Sequence, residues 1–176
     1  MPAENLTITA KWTVNRYTIT FDSNGGSAVA EMTVDYGAKI TAPVVPERPG
    51  YTFNGWNPAL PGTMPAENLH LVAQWGVNGD TPYTVKHWQM DLNGEYQLVK
   101  TETLEGAADT EATATLLNDA GFVVNANSVQ KGMIKGDGTL VLEIYYDRTK
   151  HTVKWNVNGV ITEEEFAGVT GEYNPF

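Results

Sequence analysis

Met64-Pro-Ala-Glu-Asn-Leu-His-Leu-Val-Ala-Gln-Trp75 restates the opening of the chain, Met1-Pro-Ala-Glu-Asn-Leu-Thr-Ile-Thr-Ala-Lys-Trp12. Six residues agree in a row, and a shared Ala and Trp follow at the same spacing. Tandem duplication explains such a match; chance does not. The offset of 63 residues (64 minus 1) sets the size of the repeated unit, and it is small. A unit of that length buries only about 60% of its unfolded surface. It therefore depends on large apolar side chains or on its neighbours. Arrays of such units usually space, display or adhere rather than catalyse.

Residues 1–12 read as the closing strand of a preceding repeat, and residues 13–76 as the first full unit. Within it Tyr17-Thr-Ile-Thr-Phe21 alternates ring or branched residues with threonines, as a half-buried strand does. Asp22-Ser-Asn-Gly-Gly26 follows, then a second alternating run from Ala28 to Val34. Asn-Gly between two such runs predicts a hairpin, because both central residues of a type I′ turn need positive φ. Tyr36-Gly37 marks another turn. Pro43, Pro46 and Pro49 then hold an extended stretch that suits neither a helix nor the middle of a sheet. Gly50-Tyr-Thr-Phe-Asn-Gly-Trp56 and Leu69–Trp75 supply the remaining strands.

The opening recurs further along. Tyr17-Thr-Ile, Tyr83-Thr-Val and His151-Thr-Val each lead to an Asn-Gly, at Asn24, Asn93 and Asn158. Residues 77–82 read as a linker, 83–148 as a second unit and 149–176 as the truncated start of a third. In the second unit Tyr83–Met90 and Glu95–Leu104 form a hairpin, with Leu140–Tyr146 as the closing strand. Thr110–Asp119, ending at Ala120-Gly121, is the one stretch that suits a helix. The fold class is mainly β, α+β at most, with little helix.

Tyr17-Thr-Ile-Thr-Phe-Asp-Ser-Asn-Gly-Gly26, Val34-Asp-Tyr-Gly37, Pro46-Glu-Arg-Pro-Gly-Tyr-Thr-Phe-Asn-Gly-Trp56 and Ala73-Gln-Trp75 together resemble the Listeria–Bacteroides repeat, known also as the internalin B-repeat. The resemblance covers residues 13–75. Residues 83–146 look like a mucin-binding-protein-like (MucBP-like) repeat, through Tyr83–His87, Asn93-Gly94, Ala120-Gly-Phe122 and Leu142-Glu-Ile-Tyr-Tyr146. The resemblance implies tandem β-grasp-like modules of a bacterial surface protein, secreted or cell-wall associated, serving as stalks or adhesive arrays. It carries over no catalytic residue and no cofactor. The partners it implies are other repeats of the same chain and surface glycans or proteins.

Composition narrows the field. The chain has no cysteine, which excludes disulfides, zinc–thiolate sites and thiol nucleophiles. A formal net charge of −10 argues against nucleic acid as a partner. No apolar run approaches the ~20 residues of a membrane span, so no membrane insertion is expected. The turns Asp22-Ser-Asn-Gly25, Asp91-Leu-Asn-Gly94 and Gly136-Asp-Gly138 resemble fragments of calcium loops, but none supplies the alternating ligands and terminal glutamate of one. His70, His87 and His151 share no metal or triad spacing, and each reads as a strand residue half-buried in a sheet. Ser23, Ser27 and Ser128 lie outside any Gly-x-Ser-x-Gly elbow. Glu163-Glu-Glu165 reads as a solvated face. Leu60-Pro-Gly-Thr63 stops short of a wall-sorting signal, since Met64 follows.

Aromatic residues remain, with five Trp, eight Tyr and five Phe. Trp56 and Trp75 read as core anchors. Tyr51, Trp56 and Trp88 are the candidate ligand-contact rings, on which a sugar would stack. Residues 1–12 and 151–162 are expected to pair through their edges, with an adjacent unit or with another molecule.

Overall fold

The structure, a computed structural model, describes residues 7–167. Every regular element among them is a strand. The chain divides into two compact units. One runs to Arg48 and resumes over Thr52–Gly76; the other takes Pro49–Tyr51 and the chain from Val77 onward.

The first unit is built on β1 (Arg16–Asp22), β2 (Met32–Asp35), β3 (Tyr51–Asn57) and β4 (Leu69–Val77), in the sheet order β2-β1-β4-β3. β1 lies antiparallel to β2 and parallel to β4, with Ile19 beside Leu69 and Phe21 beside Leu71. The period of two sends Tyr17, Ile19 and Phe21 to one face of β1. There they meet Ile40, Met64 and Leu71, which are buried, together with Trp56 and Leu69. Thr18 and Thr20 take the other face, where the Thr20 hydroxyl donates to the Leu69 carbonyl at 3.2 Å.

The duplicated hexapeptide has a physical explanation here. Met64 is 1% exposed and plugs the core, while its backbone bonds to Ala38 and Gly37. The Asn68 side chain accepts the Thr18 amide at 2.8 Å, and Leu69 pairs with Ile19. Plug, clamp and first rung are three of its six letters.

The Asn24-Gly25 turn forms with φ of 47° and 88°, as a type I′ turn requires. The strand expected directly after it does not. Pairing with β1 begins only at Met32, because Ser27 instead exchanges hydrogen bonds with Glu47. Gly26 also lies flat under the Trp75 ring: a Cβ on it would sit 2.5 Å from Trp75 Cζ2. Residues 41–48 carry no strand or helix, as the prolines dictate.

The second unit contains β5 (Thr81–Met90), β6 (Tyr96–Gly106), β7 (Glu111–Thr113), β8 (Phe122–Val124), β9 (Lys131–Met133) and β10 (Val141–Arg148). Its main sheet reads β6-β5-β10-β8, with β5 and β10 parallel; β7 and β9 pair separately. Tyr83, Val85, Leu142, Ile144 and Tyr146 form its core with Ala112, Ala114 and Ile134. Both sheets thus follow one plan. The first two strands form an antiparallel pair, and the last lies parallel beside the first. That is the strand order of a β-grasp sheet, here without a crossing helix.

Three expectations need correction. Thr110–Asp119 is not helical. Ala112 and Ala114 point inward while Glu111, Thr113 and Thr115 are exposed, a period of two that places Glu111–Thr113 in β7. Thr81 and Pro82, expected in the linker, are the first rungs of β5 opposite Gly106 and Glu105. Residues 7–12, expected to extend a sheet as a closing strand, form no strand and are exposed; Met1–Leu6 lie outside the described residues. The strand pattern is present there, but no neighbouring strand among the described residues supplies a ladder.

The hairpin expected at 151–162 forms as β11 (Lys150–Val157) and β12 (Val160–Ala167), closed by Asn158-Gly159 with φ of 52° and 86°.

Candidate functional site

In the first unit the rings pack on one another. Trp56 on β3 lies 4.9 Å from Phe21 and 5.3 Å from Phe53, centroid to centroid. Phe53 in turn meets Trp75 edge-on at 5.5 Å, and Trp75 Nε1 donates to the Ser23 carbonyl at 3.0 Å. Edge-to-face contacts of this kind add about 0.5–1.5 kcal/mol beyond the area buried. Trp56 and Trp75 are half-buried and committed to this cluster, so each is a partly covered core wall.

Tyr51 falls in the second unit, where its hydroxyl donates to the Asp109 carboxylate. Trp88 is also in that unit but in a different setting. The alternation along β5 turns His87 into the core and Trp88 to the opposite face. A bulge opposite His87 and Trp88 shifts the register there. Trp88 stacks on Tyr145 with ring centroids 6.2 Å apart and planes 17° off parallel, and Tyr145 meets Tyr96 edge-on at 5.0 Å. The two tyrosine hydroxyls of this run are tied within the unit. Tyr96 donates to Asp147, Asn125 Nδ2 donates to Asp147 Oδ2 at 2.7 Å, and Tyr145 donates to Glu143 at 3.1 Å. Asp147 holds the Tyr96 hydroxyl above its ordinary pKa, and burial does the same to Tyr145. Trp88 Nε1 is enclosed without an acceptor. The three candidate rings therefore have separate contacts and do not form one platform.

The sequence reading missed the most enclosed polar group. His87 is 0% exposed, whereas His70 and His151 are exposed, so none of the three is half-buried as expected. The Tyr146 hydroxyl accepts the Leu117 amide at 2.8 Å and lies 3.0 Å from His87 Nδ1. His87 Nε2 lies 3.0 Å from Glu102 Oε2, and Lys100 bonds the other Glu102 oxygen at 2.9 Å. One proton arrangement satisfies every partner: neutral His87 donates from Nε2 to Glu102, and Tyr146 donates to Nδ1. Burial raises the Tyr146 pKa, and Lys100 followed by His87 lowers that of Glu102. This Glu–His–Tyr line has the members of a proton relay, yet its hydroxyl end is sealed by the core. It is a buried clamp between β5, β6 and β10. The alternation Thr81, Tyr83, Val85, His87 could have revealed it, since all four lie on the buried face of β5. Among the described residues, no three of His, Asp and Glu converge as a metal set.

Residues 17–74 match the Listeria-Bacteroides repeat domain. A protein of Evansella cellulosilytica, whose name assigns it to the membrane, is 38% identical over 116 residues, covering 61% of this chain and 17% of that protein. Internalin H of Listeria monocytogenes is 41% identical over 91 residues, covering 47% of this chain and 16% of that protein. The chain thus spans less than a fifth of either relative's length. Among solved structures, streptococcal high identity repeats in tandem (SHIRT) domains 3-4 from a cell surface protein are 18% identical with a TM-score of 0.27, covering 76% of this chain and 98% of that one. Over residues 17–74, then, the chain carries a match to the Listeria-Bacteroides repeat domain, which is a repeat domain and not an enzyme class.

Proposed function

We propose that the chain is a non-catalytic segment of a bacterial surface protein, in which small β units act as a stalk or spacer. The reading takes residues 13–76 as one repeat and the stretch from β5 to β10, residues 81–148, as a MucBP-like second. The observation that carries it is the shared strand plan of the two sheets, each with a closed core of its own. A stalk needs units that fold alone and leave few unsatisfied groups for ligands. The names of the relatives, an internalin and a membrane protein, support a surface location for the parent protein.

A second reading is a glycan- or mucin-binding module, favoured by the Trp88–Tyr145–Tyr96 run of rings. Glycan-array and mucin pull-down measurements on the chain discriminate the two. The spacer reading expects no binding at micromolar protein. Binding that is lost in Trp88→Ala while the fold is kept would replace the spacer with the module.

A further inference from the structure

The face and edge of the C-terminal hairpin suit the exposed N-terminal segment. Within β11–β12, directly opposed residues share a face. One face carries Val153, Trp155, Val157, Val160 and Phe166, with His151, Thr162 and Glu164 among them. The other carries Lys150, Lys154, Glu163 and Glu165, joined in two ion pairs, together with Ile161. Trp155 is 37% exposed, and Val157 and Val160 are over 60% exposed. Among the described residues β11 pairs only with β12, so its outer edge has no strand beside it.

In both four-stranded sheets that edge is filled by the closing strand, running parallel. The segment Thr7–Trp12 has the pattern of such a strand: Ala10 and Trp12 stand where Ala73 and Trp75 stand in β4, Ile8 takes the place of Leu71, and its larger apolar residues are bare, with Ile8 85% and Trp12 89% exposed. We propose that this chain self-associates by strand addition, residues 7–12 of one copy adding parallel to β11 of a second copy. Main-chain hydrogen bonds then fill the open edge, and the apolar rows of both strands meet on one side.

The register follows from β1 and β4. Phe21 stands beside Leu71, and Asp22 beside Val72. Aligning Tyr17-Thr-Ile with His151-Thr-Val, and Leu71 with Ile8, puts Ile8 beside Trp155 and Thr9 beside Asn156. Ile8, Ala10 and Trp12 then continue the face of Trp155, as Leu71, Ala73 and Trp75 continue the face of Phe21. The contact is heterologous, joining different surfaces of the two copies. A reciprocal pair and a longer chain both contain it.

Sedimentation velocity across a concentration series, with the whole chain, tests the association. Mass is expected to rise with concentration to at least twice that of one chain. Ile8→Asp changes a residue outside any strand, so the fold is kept, and it should return the protein to monomer. The register is tested by mixing single-cysteine variants, which is clean because the chain has no cysteine of its own. Ile8→Cys with Trp155→Cys should form a mixed disulfide under mild oxidation. Ile8→Cys with Lys154→Cys should give about tenfold less, since a disulfide needs Cβ atoms about 4 Å apart and these point to opposite faces. Monomer at every concentration, association indifferent to Ile8→Asp, or equal crosslinking at Lys154 and Trp155 would each overturn the proposal.

Discussion

Removing a single oxygen, by Tyr146→Phe, tests the buried clamp of the second unit. Tyr146 is 1% exposed, so the ring stays packed and little cavity is created. Two groups lose their partner: the Leu117 amide at 2.8 Å and His87 Nδ1 at 3.0 Å. Leaving a buried polar group unsatisfied costs about 1–3 kcal/mol. His87 is fully enclosed and belongs toward the upper end of that range; Leu117 is half-buried and belongs toward the lower. The sum is about 2–4 kcal/mol, a large share of the ~5 kcal/mol that a small domain has. Urea denaturation followed by the methyl NMR signals of Leu142 and Ile144 reads the second unit directly. With a slope of about 1–1.5 kcal/mol per molar urea, the midpoint should fall by roughly 2–3 M. Imidazole nitrogen shifts of the unsubstituted protein should show the Nε2–H form of His87. A loss below about 0.5 kcal/mol, far under the cost of one unsatisfied group, or an Nδ1–H imidazole, would refute the proton arrangement.

Gly26→Ala forces a Cβ to within 2.5 Å of Trp75 Cζ2 and 3.2 Å of the Glu47 carbonyl, and should cost about 1–3 kcal/mol by overpacking. A thermal melt unchanged by it would mean that the Trp75 ring swings aside freely. Trp56→Ala removes the ring that Phe21 and Phe53 pack against and should cost about 3 kcal/mol; an unaltered melt would make Trp56 a surface ring. Stability should also fall at both pH extremes. Glu102 is lowered by Lys100, Asp91 by the Glu95 amide and Asp137 by the Thr139 hydroxyl. The unfolded chain therefore takes up protons first, and their contribution, complete above the ordinary carboxylate range, is lost as pH drops below about 4. Tyr96, Tyr145 and Tyr146 are raised, so the unfolded chain loses protons first, and their contribution disappears above about pH 10. Melting temperatures across that span check both limbs, and a maximum at pH 3 would contradict the lower one.

Local chemistry made much of this chain legible. The duplicated Met-Pro-Ala-Glu-Asn-Leu announced repetition, and Asn158-Gly159 placed a hairpin turn where one forms, because positive φ is a property of a few residue types in any context. Alternation in Tyr17–Phe21 and Tyr83–His87 marked strands and their inner faces. Sequence reading failed where a distant partner decides. The run Ala28–Val34 has strand character, yet Glu47 claims Ser27 and the Trp75 ring covers Gly26. Thr110–Asp119 has a helix-like ending at Gly121, yet pairing with β9 and the buried Ala112 and Ala114 select the strand. Residues 7–12 carry a strand's letters without a ladder, since extended backbone needs a neighbour and a helix does not. The clamp was hidden for the same reason: His87, Glu102 and Tyr146 are separated along the chain by 15 to 59 residues. Sequence alone determined which segments turn, alternate and recur. Only the tertiary structure decided which strand lies beside which, because hydrogen bonds across a sheet and the closing of a buried polar line depend on contacts that no stretch of sequence contains by itself.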